Sequence, residues 1–159
     1  MITLLAISTV AALALLAVSV SEAGGAPVSL SATYYNLRED GWVFQVLLAA
    51  TAASLLPVWV QSSSDGLEWL AFLSCASLLF VAAAPAFRLE LEGKIHYTSA
   101  AVCCVCAVWW QIAEGLWDIT LWCAAMAFML SLGWKDKWCW WLECAVIGSV
   151  YVNLYRLIL

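Results

Sequence analysis

Apolar residues run in long, almost unbroken stretches along this chain, and polar residues gather between them. A helix needs about 20 mainly apolar residues to cross the hydrocarbon core of a bilayer. The stretches that reach or approach that length are residues 2–20, 42–60, 67–87, 95–112, 116–132 and 137–157. This pattern predicts an all-α fold, namely a polytopic bundle of six transmembrane helices.

Short connections join these stretches, apart from residues 21–41. Consecutive spans joined by short loops run antiparallel and pack together, so we expect a single integral membrane domain over residues 1–159. The first stretch also precedes a small-residue region like a signal-peptide cleavage site, and cleavage there would leave five spans. It lacks a basic n-region, and its apolar run exceeds the usual length of about 7–15 residues. We therefore expect it to be retained as a span.

Composition agrees with a membrane location. Hydrophobic residues make up 66% of the chain and charged residues 11%, against about 45–50% and about 25% in soluble domains. These values exclude a soluble monomer and also a disordered chain, which needs low hydrophobicity and high charge. The net charge of −5 excludes a nucleic-acid binder that relies on a basic patch. The expected partners are membrane lipid and either a second copy of the chain or a membrane-complex subunit, with no nucleic acid.

Basic residues predict the orientation of the bundle. One side holds Arg38, Arg88, Lys94, Lys135 and Lys137. The other side holds Arg156. Lys and Arg favour cytoplasmic loops, so loops 21–41, 88–94 and 133–136 are predicted to be cytoplasmic and both termini outside, in a bacterial inner (plasma) membrane.

Tryptophans and small residues suggest how the helices are anchored and packed. Amphipathic rings favour the membrane interface. The tryptophans near predicted span ends are Trp42, Trp59, Trp69, Trp109, Trp110, Trp117, Trp134 and Trp138. Small residues four apart, which let two helices approach closely, occur at Ser8 and Ala12 and again at Ala49 and Ala53.

Two ionisable residues are the strongest candidates for chemistry. An ionisable residue within a span is by default a candidate functional residue, and Glu143 lies about 9 Å beyond Lys137 at 1.5 Å per residue. His96, the single histidine, opens the fourth span, and its near-neutral intrinsic pKa suits acid–base work or proton relay. If the fourth and sixth spans pack together, the two residues can form a catalytic or headgroup-binding pair. The alternative is that His96 is an interfacial polar residue and that Glu143 snorkels or bonds a neighbouring helix.

Seven cysteines lie within the predicted spans. Cys103 and Cys106 have the C-x-x-C spacing of a thiol redox pair, and such pairs depend on a helix N-terminus or a nearby cation. Cysteine also packs as a small buried hydrophobe, which is the favoured interpretation here. No second C-x-x-C is present and there is one histidine, so neither a metal site nor a cofactor is predicted.

Two further polar groups lie at the predicted membrane surfaces. Tyr34, Tyr35, Arg38, Arg88 and Lys94 are candidates for contact with a ligand or lipid headgroup, and the alternative is an interfacial re-entry of the loop with tyrosine as its anchor. An outer acidic rim is predicted at Asp65, Glu68, Glu114 and Asp118. It is either a cation-attracting mouth or a solvated surface, and Arg156 is close enough along the chain to pair with one of its acids.

A family resemblance rests on residues 84–87, Ala-Pro-Ala-Phe, and on residues 93–97, Gly-Lys-Ile-His-Tyr. A proline- and aromatic-containing exit from the third span, then a loop and a histidine opening the fourth, resembles the Frag1/DRAM/Sfk1 and DUF998 group of six-span membrane proteins. The resemblance implies a role linked to lipid remodelling or membrane trafficking, and it points to His96 as the residue to mutate first. It also implies an N-terminus inside, opposite to the charge count.

The leading functional prediction is a non-enzymatic membrane module that binds lipid or a hydrophobic ligand, or serves as a subunit of a transporter or membrane complex. One alternative is an intramembrane lipid-modifying enzyme that uses His96 and Glu143. Another is a membrane thiol–quinone redox protein that uses Cys103 and Cys106. Few polar residues lie in the spans, which disfavours a monomeric ion channel. They are Gln45, Gln111, Glu143 and Asn153.

Overall fold

The structure is a computed structural model that describes residues 1–86 and 89–159, and every regular element in that part of the chain is helical. The α-helices are α1 (Ile2–Ala23), α2 (Ala32–Asn36), α3 (Gly41–Ser62), α4 (Glu68–Ala83), α5 (Leu89–Ala113), α6 (Trp117–Gly133) and α7 (Trp138–Ile158). Single 3₁₀ turns precede α3, follow α4 and precede α7, at Arg38–Asp40, Ala84–Ala86 and Lys135–Lys137. The predicted all-α fold is confirmed over the described residues.

Three helical segments among the described residues are long and apolar enough to cross a membrane, and these are Ile2–Ala23, Arg38–Ser62 and Gly93–Ala113. Helices α4 and α6 are apolar but shorter, with 16 and 17 residues. Helix α7 has 21 residues, but Glu143, Asn153 and several tryptophans and tyrosines lower its hydropathy. Each of the six predicted stretches thus coincides with a helix, and three of the helices have the length and hydropathy of a span.

Helices α1, α3, α4 and α5 pack in chain order, each against the next. Helices α6 and α7 form a hairpin, and α7 joins it to the rest by packing on α3 and α5. Side-chain hydroxyls also tie α7 to α1, where Thr9 Oγ1 lies 3.0 Å from the Tyr155 hydroxyl. Most of α6 is exposed, with Ala127 buried. Helix α7 is therefore placed to line the interior of the bundle.

The first pair of small residues lies at a helix contact, and the second pair is divided. Ser8 and Ala12 are buried, and Ser8 Oγ donates a hydrogen bond to the Thr51 carbonyl of α3 at 3.0 Å. Ala49 is partly buried against the core. Ala53 is exposed, because the buried face of α3 passes through Thr51, Ala52 and Leu55.

Two of the tryptophans predicted as interface anchors lie in the core instead. Trp59 and Trp110 are 2% and 0% exposed, and their rings meet edge to face with centroids 5.3 Å apart. Trp110 Nε1 donates to Ser63 Oγ at 2.8 Å. Both residues do lie near the ends of their helices, as the sequence indicated. Their position along the chain could not show that the rings face the interior of the bundle. The other six are exposed, as anchors would be.

The long connection after α1 folds back against the helices. Gly24, at φ 62°, ends α1 in the left-handed conformation, which glycine adopts without steric cost. Leu30 and Thr33 are then buried, and Thr33 Oγ1 donates to Ser19 Oγ at 2.7 Å. We call residues 24–37 the re-entrant segment. Its buried residues pack it against the helices, and its placement at a membrane interface stays a prediction.

Candidate functional site

A cavity of about 60 Å³ lies among α3, α4, α5, α7 and the re-entrant segment. Its wall is mostly apolar, with Phe44, Leu48 and Val81 contributing. Two of the polar residues that line it are His96 on α5 and Glu143 on α7. We call it the Glu143 cavity. The structure thus brings together the two residues that the sequence singled out for chemistry.

Glu143 is held by a backbone group. Its Oε2 accepts a hydrogen bond from the Leu30 N–H at 2.6 Å. Leu30 lies outside any helix, so its N–H needs a partner of this kind. The interaction fixes the carboxylate at the cavity wall, and the partner is the re-entrant segment rather than a neighbouring helix or the interface.

Glu143 lies in a mostly apolar cavity wall. Removing an ionised carboxylate from water costs several kcal/mol unless nearby groups compensate it. The Leu30 N–H is one such group, and His96 lines the same cavity.

His96, on α5, lines the same cavity. It is partly buried, and its ring meets Tyr97 edge to face with centroids 5.5 Å apart. The imidazole is therefore close to the cavity and also near the end of the bundle that bears Lys94. This position is compatible with either polar contact to a ligand or proton transfer.

A second cavity, of about 50 Å³, continues along the bundle and includes Trp59 and Tyr151 in its wall. We call it the Trp59 cavity. The two cavities share part of their lining, namely Leu30, Leu48, Leu78, Cys103, Val146 and Ile147. Trp59 Nε1 is buried and finds no hydrogen-bond acceptor among the described residues. Two adjoining apolar cavities thus lie in the bundle, with Glu143 in the lining of one and Trp59 in the lining of the other.

The candidate redox cysteines lie on α5 but in different surroundings. Cys103 lines both cavities, whereas Cys106 is packed in the core with Trp110. All seven cysteines are free thiols. Within residues 1–86 and 89–159, no group of three or more His, Cys, Asp or Glu side chains is arranged to hold a metal ion.

The predicted ligand-contact residues are divided between separate places. Tyr35 and Arg38 line a surface depression together with Glu22 and Lys137. Tyr34 instead packs beside Phe44, with centroids 6.3 Å apart. Lys94 is exposed on α5, and Arg88 lies outside the described residues. Tyr34 also meets Tyr35 edge to face, with centroids 5.3 Å apart, so its ring lies next to that of Tyr35 and packs the re-entrant segment on α3.

Three of the four predicted rim acids have local structural partners. Glu114 accepts hydrogen bonds from the Ser64 N–H at 2.6 Å and from Ser64 Oγ at 2.7 Å. Glu68 accepts from the Gly66 N–H at 2.7 Å. Asp118 pairs with Arg156, which confirms the predicted ion pair. Glu114 thus ties the turn after α5 to the loop after α3, and Asp118 ties the start of α6 to the end of α7.

The fourth rim residue, Asp65, is exposed. The chain turns between Glu114 and Asp118 at Gly115, where φ is 74°. Glu114 therefore lies in the turn after α5 and Asp118 lies in the first turn of α6, so the two acids do not share one helical face.

Gln111 and Asn153 form a buried amide network. Each was recognisable in the sequence as a polar residue in an apolar stretch, but their hydrogen bond was not predicted. Asn153 Nδ2 donates to Gln111 Oε1 at 2.9 Å, and Thr120 Oγ1 donates to the same oxygen at 2.8 Å. Gln111 and Asn153 are fully buried. The network joins α5, α6 and α7, and its members satisfy one another rather than facing either cavity.

Comparison with known proteins adds no family assignment. No protein-family model, curated protein or solved structure matches this chain. The resemblance to the Frag1/DRAM/Sfk1 and DUF998 group therefore stays a prediction, and the functional argument rests on the geometry of the two cavities.

Proposed function

We propose that this chain is a non-enzymatic membrane module that holds a lipid or another hydrophobic ligand inside its helical bundle. The observation that carries the proposal is the apolar path formed by the Glu143 and Trp59 cavities, which share six lining residues. Ligand sites are typically apolar concavities with a few polar groups that fix orientation. Here those groups are Glu143 and His96 towards one end.

The proposal includes six membrane crossings. Helix α4 rises about 24 Å at 1.5 Å per residue, which falls short of the roughly 30 Å of a hydrocarbon core, but the turn Ala84–Ala86 lengthens it. Large apolar side chains are exposed on both shorter helices, among them Phe72, Phe80, Trp122 and Phe128. An apolar surface of that kind requires lipid or protein to cover it.

The proposed location is a bacterial inner (plasma) membrane, with both termini outside. Arg38 and Lys137 line one surface depression, so two of the five basic residues of the predicted cytoplasmic side lie at the same end of the bundle. Arg156 lies by Asp118, at the start of α6, and that end is the proposed outer one. The positive-inside rule gives this orientation.

One matched pair of variants tests ligand binding. Ala100 lines the Glu143 cavity, whereas its neighbour Ala101 is exposed. Ala100→Leu adds three carbons to a cavity of about 60 Å³, and Ala101→Leu adds the same group on the outer surface. Native mass spectrometry of protein purified from membranes should detect bound lipid on wild type and Ala101→Leu but less on Ala100→Leu. Equal retention by all three would contradict the proposal.

A second candidate is a lipid-modifying enzyme, and the shared cavity of His96 and Glu143 favours it. His96 would act as acid or base and Glu143 would orient the substrate or relay a proton. This candidate requires that membranes containing wild-type protein change a lipid species that membranes containing His96→Ala do not. Identical lipid profiles at equal expression would exclude it.

A further inference from the structure

We propose that an alkyl chain from the bilayer enters the Glu143 cavity sideways, through the seam between α5 and α7 at Cys104 and Val146. The outer surface of this seam is then the site where the bundle takes up a membrane lipid. The inference rests on the proposed function, because it gives the entry route to the same internal site.

Two apolar grooves lie on the outer side of the seam. The first is lined by α5 and α7, with Val105, Trp109 and Leu142 among its residues. The second is lined by α5, α6 and α7 and shares Leu142 and Val146 with the first. Val105 and Trp109 are each 63% exposed, so an alkyl chain of the proposed membrane can reach these grooves. We call them the seam grooves.

Cys104 and Val146 belong to the outside and to the inside of the bundle. Both residues line the first seam groove and also the Glu143 cavity. Val146 further lines the second groove and the Trp59 cavity. Each of the two residues is partly buried. The grooves and the cavities therefore adjoin at these two side chains.

The chemistry of the seam allows a local opening. Helix α5 packs mainly on α4, and its hydrogen bond to α7 joins Gln111 and Asn153, about 10 Å along each helix from Cys104 and Val146 at 1.5 Å per residue. A thiol and an isopropyl group offer at most weak hydrogen bonding. A small parting of α5 and α7 at the seam therefore costs mainly apolar contact, which an entering alkyl chain replaces.

The re-entrant segment covers another side of the cavity. Leu30 and Ser31 line the cavity there, and the Leu30 N–H is bonded to Glu143. Entry past this segment would have to break that bond, and it would carry the alkyl chain through water, where every exposed methylene is unfavourable. The route through the seam needs neither step, because the chain moves from one apolar surface to the next.

Timed photolabelling of the wild-type protein tests the route. The probe is radiolabelled 1-dodecanol with a diazirine in its chain, mixed rapidly in the cold with protein in phosphatidylcholine nanodiscs and illuminated after increasing delays. We expect label on Cys104 and Val146 before label on Leu48, which lines both cavities from α3. Label on Ser31 ahead of both seam residues would overturn the inference in favour of entry past the re-entrant segment.

Two variants obstruct the grooves from their exposed side. Val105→Trp and Leu142→Trp add an indole to the groove wall from α5 and from α7, at residues that are exposed. Each should slow the labelling of Leu48 at least about fivefold, because an obstructed entry lowers the association rate. The final extent of labelling should equal that of wild type, since neither substitution fills the cavity. Val46→Trp adds the same group on the exposed face of α3 and should be labelled at the wild-type rate.

The outcomes separate this inference from the proposed function. Label that reaches Leu48 at the same rate in wild type and in both groove variants would refute entry through the seam and leave the internal site intact. No label on Leu48 of wild type at any delay would refute the internal site and the entry route together.

Discussion

The carboxylate of Glu143 accepts a hydrogen bond from the backbone N–H of Leu30, 113 residues earlier in the chain, with 2.6 Å between Oε2 and the amide nitrogen. This contact joins α7 to the re-entrant segment at the wall of the Glu143 cavity. It holds the segment in place and aims the carboxylate at the same time.

Loss of this bond should destabilise the protein. Glu143→Ala leaves the Leu30 N–H without its acceptor, and an unsatisfied buried donor costs about 1–3 kcal/mol. Glu143→Gln retains an acceptor oxygen and should recover most of that loss. Thermal unfolding in a mild detergent, followed by circular dichroism, measures the difference. Equal melting temperatures for the Ala and Gln variants would show that the Leu30 bond contributes nothing.

The re-entrant segment should loosen in the same variant. Protease cleavage within residues 24–37 is expected to be faster in Glu143→Ala than in wild type, because local opening exposes the backbone. Glu39→Gln, which alters an exposed acid near the segment, serves as the control. A cleavage rate equal to that of wild type would mean that the Leu30–Glu143 bond does not hold the segment in place.

The sequence predicted the helices well because long apolar runs determine where a chain enters lipid. It predicted their ends less well. The fourth stretch was expected to begin at residue 95, but α5 begins at Leu89, since charged residues such as Lys94 can continue a helix beyond the apolar region. Hydropathy marks the membrane boundary and not the last hydrogen-bonded residue.

The candidate site was also predictable only in part. Glu143 was identifiable as a lone acid in an apolar stretch, and His96 as the single histidine. Their common cavity was not predictable, because it depends on how α5 and α7 pack. The main partner of Glu143 is a backbone N–H in a connection, which no side-chain pattern reveals.

The amide network should behave as one unit. Membrane hydrogen bonds contribute about 0.6 kcal/mol on average and about 1.7 at most. Gln111→Leu and Asn153→Leu should each destabilise the protein, whereas the double variant should cost less than the sum of the two. Thermal unfolding of the four proteins gives the coupling energy. Additive effects would mean that the two amides act independently.

The two core tryptophans should respond differently to the same change. Trp110→Phe removes a hydrogen bond to Ser63, whose net value is about 0.5–1.5 kcal/mol. Trp59→Phe removes a buried N–H that has no described acceptor, so its cost should be smaller in protein stripped of lipid. Unfolding midpoints provide the comparison, and a larger loss for Trp59→Phe would contradict the assigned bonding.

The proposed topology predicts opposite labelling of the two ends. Asp65 and Asp136 are both exposed, and six crossings with external termini place Asp65 outside and Asp136 in the cytoplasm. In a background with the native cysteines replaced by alanine, an impermeant maleimide should label Asp65→Cys in intact cells. Asp136→Cys should react only after the cells are opened. The reverse pattern would invert the orientation, and labelling of both sites in intact cells would rule out the topology.

Mapping the bound chain tests the central claim, an internal site for a hydrophobic ligand, most directly. An alkyl probe that carries a photoreactive diazirine should crosslink to residues shared by both cavities, such as Leu48, Leu78 and Ile147. This labelling should disappear in Ala100→Leu and persist in Ala101→Leu. Crosslinks confined to outward residues such as Trp122 and Met126, and unchanged by Ala100→Leu, would contradict an internal site.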